Sequence, residues 1–134
     1  MRGFIPDKTN DGRKQPWEYL PATGSTAPSI GLALVLSSGK LVKASGTTKP
    51  TYICMMEALA AVAEGTLIPV IAVTPDMIFE TTNSASLNGV NIGAKVTIAD
   101  NGCQVTATTT SGVATIVDKV DGTGTGNPTL LKFE

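Results

Sequence analysis

Residues 68–82 read Ile-Pro-Val-Ile-Ala-Val-Thr-Pro-Asp-Met-Ile-Phe-Glu-Thr-Thr, and no other stretch constrains the fold as strongly. The apolar run 68–73 is broken only by Pro69. Thr74-Pro75-Asp76 then gives a turn, and Met77-Ile78-Phe79 opens a second apolar run. β-Branched and aromatic side chains dominate, and a short run bounded by turn residues fits a strand buried on both faces better than a helix. The expectation is two buried strands joined at a corner, with Phe79 and Ile71 in the core. Pro69 cannot donate to a ladder, which places it at a strand start or on an edge.

The chain has 134 residues, enough for one domain that buries roughly two-thirds of its unfolded surface without a staple. A net charge of −1 provides no long-range field, so neither nucleic acid nor an anionic membrane is an expected partner. Only 16% of residues are charged, a low surface charge that favours association into an assembly. No window approaches the ~18 apolar residues of a membrane span, and the N-terminal residues lack the apolar stretch of a signal peptide, so synthesis and assembly in a cytoplasm are expected. Cys54 and Cys103 both lie in apolar strand-like runs and read as two buried, reduced thiols.

Residues 1–28 differ from the rest. Pro6, Pro16, Pro21 and Pro28, with Gly3, Gly12 and Gly24 between them, destroy any period of 2 or 3.6, which describes an extended arm. Three of the six aromatic residues, Phe4, Trp17 and Tyr19, lie here beside Ile5 and Leu20, unlike a disordered linker. Two readings stand. The arm covers a sheet edge of its own domain, or Phe4, Ile5, Trp17, Tyr19 and Leu20 anchor it on a neighbouring protein. Extended, it could span on the order of 90 Å.

Residues 29–134 read as a single β domain. Leu32, Leu34 and Leu36 alternate with Ala33 and Val35, Ser37-Ser38-Gly39 turns, and residues 40–44 return, which makes a hairpin. Residues 51–56 form another β run. Residues 57–65 fit at most two helical turns or an irregular crossover. Residues 83–89 have loop composition and form a candidate exposed tip. Val90, Ile92, Ala94, Val96 and Ile98 share one face if a strand continues through Gly93. Asp100-Asn101-Gly102 supplies a tight hairpin from which residues 103–109 pair back, Thr110-Ser111-Gly112 turns into 113–120, and a strand over 129–133 completes a meander.

Chemistry is sparse. There is no histidine, which removes the commonest general base and metal ligand. No serine sits in a Gly-x-Ser-x-Gly elbow, and the eleven carboxylates are scattered. The glycine-rich loop 118–128 leads into a strand rather than a helix, unlike a phosphate cradle, and Asp118 and Asp121 are too few for a calcium loop. Lys8, Arg13 and Lys14 are offset by Asp7, Asp11 and Glu18. The expectation is a binding protein with no cofactor, no metal and no catalytic residues.

Residues 26–48, Thr-Ala-Pro-Ser-Ile-Gly-Leu-Ala-Leu-Val-Leu-Ser-Ser-Gly-Lys-Leu-Val-Lys-Ala-Ser-Gly-Thr-Thr, resemble the head-decoration (cement) proteins of tailed bacteriophages of the lambda type. The shared pattern is an arm, an apolar strand, a Ser-Ser turn, a Lys-Leu-Val return and a Gly-Thr-Thr loop. Residues 68–81, with 93–97 and 112–117, resemble small β-rich proteins encoded beside major capsid genes in prophages of Gram-positive bacteria. The resemblance implies an all-β fold, a small β-barrel or β-tulip-like domain with an extended N-terminal arm. It also implies a homotrimer on the capsid exterior and a major capsid protein partner. A β-sandwich or OB-like barrel is the alternative topology. The alternative function is a receptor- or carbohydrate-binding module of a phage tail or surface appendage.

Overall fold

The computed structural model describes residues 2–8, 16–119 and 124–134. Among them there is no helix, and ten strands form two antiparallel sheets of five. They are β1 (Ile5–Lys8), β2 (Trp17–Pro21), β3 (Ala33–Ser37), β4 (Lys40–Lys43), β5 (Tyr52–Cys54), β6 (Leu67–Ala72), β7 (Ile78–Thr82), β8 (Lys95–Val96), β9 (Ala114–Asp118) and β10 (Pro128–Lys132). The first sheet runs β1-β7-β10-β9-β8, the second β2-β6-β5-β3-β4. One core lies between them, built from Ala33, Ile53 and Ile71 of the second sheet and Phe79, Ile116 and Leu131 of the first. A second cluster, with Leu34, Leu41, Cys54, Ile68 and Val70, occupies the opposite face of the second sheet.

This arrangement explains the apolar run at 68–73. On β6, Ile71 enters the shared core while Ile68 and Val70 enter the second cluster, so the strand is buried on both faces as its sequence predicts. β7 is different. Phe79 and Thr81 point inward while Glu80 is exposed, the alternation of a sheet with one wet face. The Thr74-Pro75-Asp76 corner therefore carries the chain from one sheet to the other, and β6 and β7 do not pair. Pro69 also departs from expectation, since β6 lies between β2 and β5. Its carbonyl accepts from the amide of Met55 (2.9 Å), so its missing N–H would have faced β5, and β5 ends at Cys54, one residue before that gap.

Local turn chemistry built the hairpin as read. Ser38 and Gly39, with φ of 51° and 79°, form the two-residue turn between β3 and β4. Residues 57–65 are an irregular crossover, and Gly65 at φ 83° leads into β6. Lys40 pairs with Glu64 across this region, and the Gly24 amide donates to the same carboxylate (2.7 Å). The hydrogen bond from Lys40 first, then that from Gly24, holds the Glu64 carboxyl below its ordinary range.

The stretch 90–98 is not one strand. Gly93 has φ of 93°, only Lys95–Val96 is strand, and Ile92 is exposed while Val90, Val96 and Ile98 are buried. Residues 83–89 are not wholly a tip either, because Asn83 and Leu87 are fully buried. The Asn101-Gly102 turn is present, joined across by an Ile98–Val105 bridge instead of a long ladder. β8, β9 and β10 do follow one another across the first sheet, but residues 103–109, expected to pair back as a strand, form only isolated bridges at Val105. Gly112 is needed for close approach, since a Cβ there would lie 2.3 Å from the carbonyl of Lys95. Both thiols are free and buried. The part of the loop at 120–123, Asp121 included, lies outside the described residues, as do Asp11, Arg13 and Lys14.

The N-terminal segment folds back and supplies an edge strand to each sheet. β1 pairs with β7 (Ile5 opposite Glu80) and β2 with β6 (Trp17 opposite Ile71). Gly3 and Gly31 lie against each other, with the amide of Gly3 donating to Ile30 O and that of Phe4 to Gly31 O, both at 2.7 Å. A Cβ on Gly3 would sit 2.3 Å from Gly31 O. This contact seats Phe4 in the shared core, edge-on to Phe133 with ring centroids 5.0 Å apart. The second sheet also curls, for Ala22, just past β2, forms a parallel bridge to Leu41 of β4. A bridge between Gly46 and Ile98 joins the two sheets on the β4 and β8 side.

Candidate functional site

Among the described residues, β2 is paired on one side only. Since Pro69 and Ile71 aim their backbone groups at β5, their partners Tyr19 and Trp17 form non-hydrogen-bonded pairs with β6. The N–H and C=O groups of Trp17 and Tyr19 therefore point to the open edge, where they meet no hydrogen-bonding group among the described residues. Further along, the edge is closed: Thr23 N–H and Oγ1 both donate to Leu41 O at 3.1 Å. The open part of the edge is thus two aromatic residues long.

The side chains follow the same parity. Trp17, Tyr19 and Pro21 share one face of the second sheet with their partners Ile71, Pro69 and Leu67. Ile71 is covered by the core, whereas Trp17 is 54% exposed, Tyr19 60% and Leu67 60%. Pro21 and Pro69 are half-buried between them. The result is an exposed apolar patch beside an open strand edge. Such an arrangement can accept a partner strand by main-chain pairing and bury aromatic anchors at the same time.

The five residues expected to contact a partner divide three ways. Trp17 and Tyr19 come together in the patch. Ile5, on the β1 edge, and Leu20, packed against the second cluster, are half-buried. Phe4 is corrected to a core residue: its ring is fully buried and lies edge-on to Phe133, so it has no surface to offer. Leu67 was missed. It precedes the apolar run, and only its pairing with Pro21 shows that it lies on the aromatic face.

Elsewhere, a cleft of about 440 Å³ is lined by Ser25, Thr26, Ser29, Leu32, Lys43 and Asn101. Lys43 is its one charged side chain among the described residues. Ser29 Oγ lies 3.7 Å from Cys103 Sγ, but burial pushes both the Cys103 and the Cys54 thiol up, which disfavours the nucleophilic thiolate. No group of three His, Cys, Asp or Glu side chains comes together among the described residues. No protein-family model matches the chain, and no curated protein matches it.

Proposed function

We propose that this protein is a structural virion component that binds the outside of a tailed-phage capsid shell and stabilises it, attaching through its N-terminal segment. The observation that carries the reading is the pairing of an open strand edge with the exposed Trp17, Tyr19 and Leu67 on β2 and β6. A shell protein needs many modest contacts repeated by symmetry rather than one deep pocket, and this patch is of that kind. The resemblance of residues 26–48 and 68–81 to cement proteins supports the same reading. With it go a homotrimeric state, the major capsid protein as partner, and a small β-barrel or β-tulip-like description of the domain. The test is co-sedimentation with undecorated phage heads. Trp17→Ala should leave the melting temperature nearly unchanged, because the ring is more than half exposed, yet cost on the order of 2–4 kcal/mol of binding per site if Trp17 is a buried anchor of the complex. Retention equal to the unmodified chain would overturn the role of this patch.

The second reading, a receptor- or carbohydrate-binding module, gains from the same geometry. Two exposed aromatic rings on one sheet face can stack on a sugar, and Trp17 and Tyr19 are so placed. The two readings separate by probe. Binding to heads with no response to glycans favours the shell, and glycan binding lost in Trp17→Ala favours the module.

A further inference from the structure

The chain contains two Asn-Gly pairs, Asn88-Gly89 and Asn101-Gly102, and the fold treats them in opposite ways. Glycine after asparagine leaves the intervening backbone nitrogen unshielded by a side chain, so this dipeptide can cyclise. Asn101 is held against it. Its Oδ1 accepts from the amides of Cys103 (2.8 Å) and Gln104 (3.2 Å), and its Nδ2 donates to Gln104 Oε1 (2.9 Å). The Gly102 amide donates to Ala99 O (2.9 Å), and Gly102 is buried against Lys43 and Leu32.

Asn88 has none of these restraints. Both Asn88 and Gly89 are exposed, and no atom lies within 4 Å of a Cβ position on Gly89. The turn is closed around them by Val90 N–H donating to Leu87 O (2.9 Å), while the Asn88 backbone amide donates to Ser86 Oγ (3.2 Å). The Asn88 side-chain amide and the Gly89 N–H make no hydrogen bond with the described residues. We propose that Asn88 is a site of spontaneous covalent modification, converting to aspartate and isoaspartate in the folded protein while Asn101 is protected. The deprotonated Gly89 nitrogen attacks Cγ of Asn88, the new C–N bond forms, and the Cγ–Nδ2 bond breaks with loss of ammonia. Water then opens the cyclic imide at either carbonyl, so the net change is amide plus water to carboxylate plus ammonium. Each event adds a negative charge to a chain of net charge −1. The isoaspartyl product also lengthens the backbone of a turn whose flanking residues, Leu87 and Val90, are buried in the core.

The experiment is peptide mapping by mass spectrometry after incubating the folded protein at mildly alkaline pH, with isoaspartate read by enzymatic methyl labelling. Opening the hydrogen bonds that hold the Asn101 side chain and the Gly102 amide, each of ordinary net strength, should slow Asn101 by at least roughly a hundredfold relative to Asn88. In urea the two sites should convert at similar rates, and Asn88→Gln should abolish the folded-state signal. Equal rates at both sites in the folded protein, or conversion at Asn101 first, would overturn the proposal. So would an Asn88 site that reacts in urea but stays intact in the folded chain.

Discussion

Phe4 settles how the N-terminal residues relate to the rest, because a fully buried ring lying edge-on to Phe133 belongs to the core whatever its position in the chain. Phe79 also contacts Phe133, in a tilted arrangement with 5.4 Å between centroids, so all three phenylalanines form one cluster. Phe4→Ala and Phe79→Ala should each cost about 3–5 kcal/mol in a denaturant melt. A loss below ~1 kcal/mol for Phe4→Ala would place that residue outside the core. The two thiols make a second prediction at this scale. Burial raises both above the ordinary thiol value of 9.0, so above that pH the unfolded chain releases protons that the folded chain keeps. Their contribution is fully present below pH 9 and is lost as pH rises through the folded values. Unfolding midpoints measured across this window should fall more steeply for the unmodified chain than for a Cys54→Ala, Cys103→Ala double variant. Equal slopes would show that the two thiols do not carry the loss.

Elements were legible where their cause was local. The Ser38-Gly39 hairpin, the Asn101-Gly102 turn and the two-faced β6 follow from turn residues and apolar runs that lie within a few positions of each other. What the sequence hid was long-range. Nothing near Ile5 announces Glu80 as its partner, and nothing near Trp17 announces Ile71, so two edge strands read as an aperiodic arm. The candidate site was half visible for the same reason: aromatic residues among prolines marked Trp17 and Tyr19, whereas Leu67 joins them only through register. Stretch 90–98 failed in the other direction. Its alternation predicts five residues on one face, but the positive φ at Gly93 breaks the strand and turns Ile92 outward. The domain from Ser29 onward looked self-sufficient in sequence. Removing residues 1–28 takes away β1, β2, Phe4 and Ala22, and the Phe4 loss alone is comparable to a large share of a typical 5–15 kcal/mol total. A chain starting at Ser29 should therefore show a lower melting temperature or fail to give a cooperative melt. Unchanged melting would mean that the edge strands add little.

The molecule as a whole should unfold in one step, since both sheets feed a shared core and one N-terminal segment is woven into each. Trp17, the single tryptophan, sits on the β2 edge and reports on that segment, while circular dichroism reports on all strands. The two signals should change at the same denaturant concentration. Fluorescence that changes first would identify the edge as a separately opening unit. The order of strands has one more effect, on synthesis. All five strands of the second sheet lie within residues 17–72, so that sheet can assemble while the chain is still growing on the ribosome. The first sheet cannot, because its middle strand, β10, is the last of the described strands to be made. Until residues 128–132 emerge, β7 and β9 lack the neighbour that joins them, and Phe4 waits for Phe133: the earliest phenylalanine translated is seated by the latest.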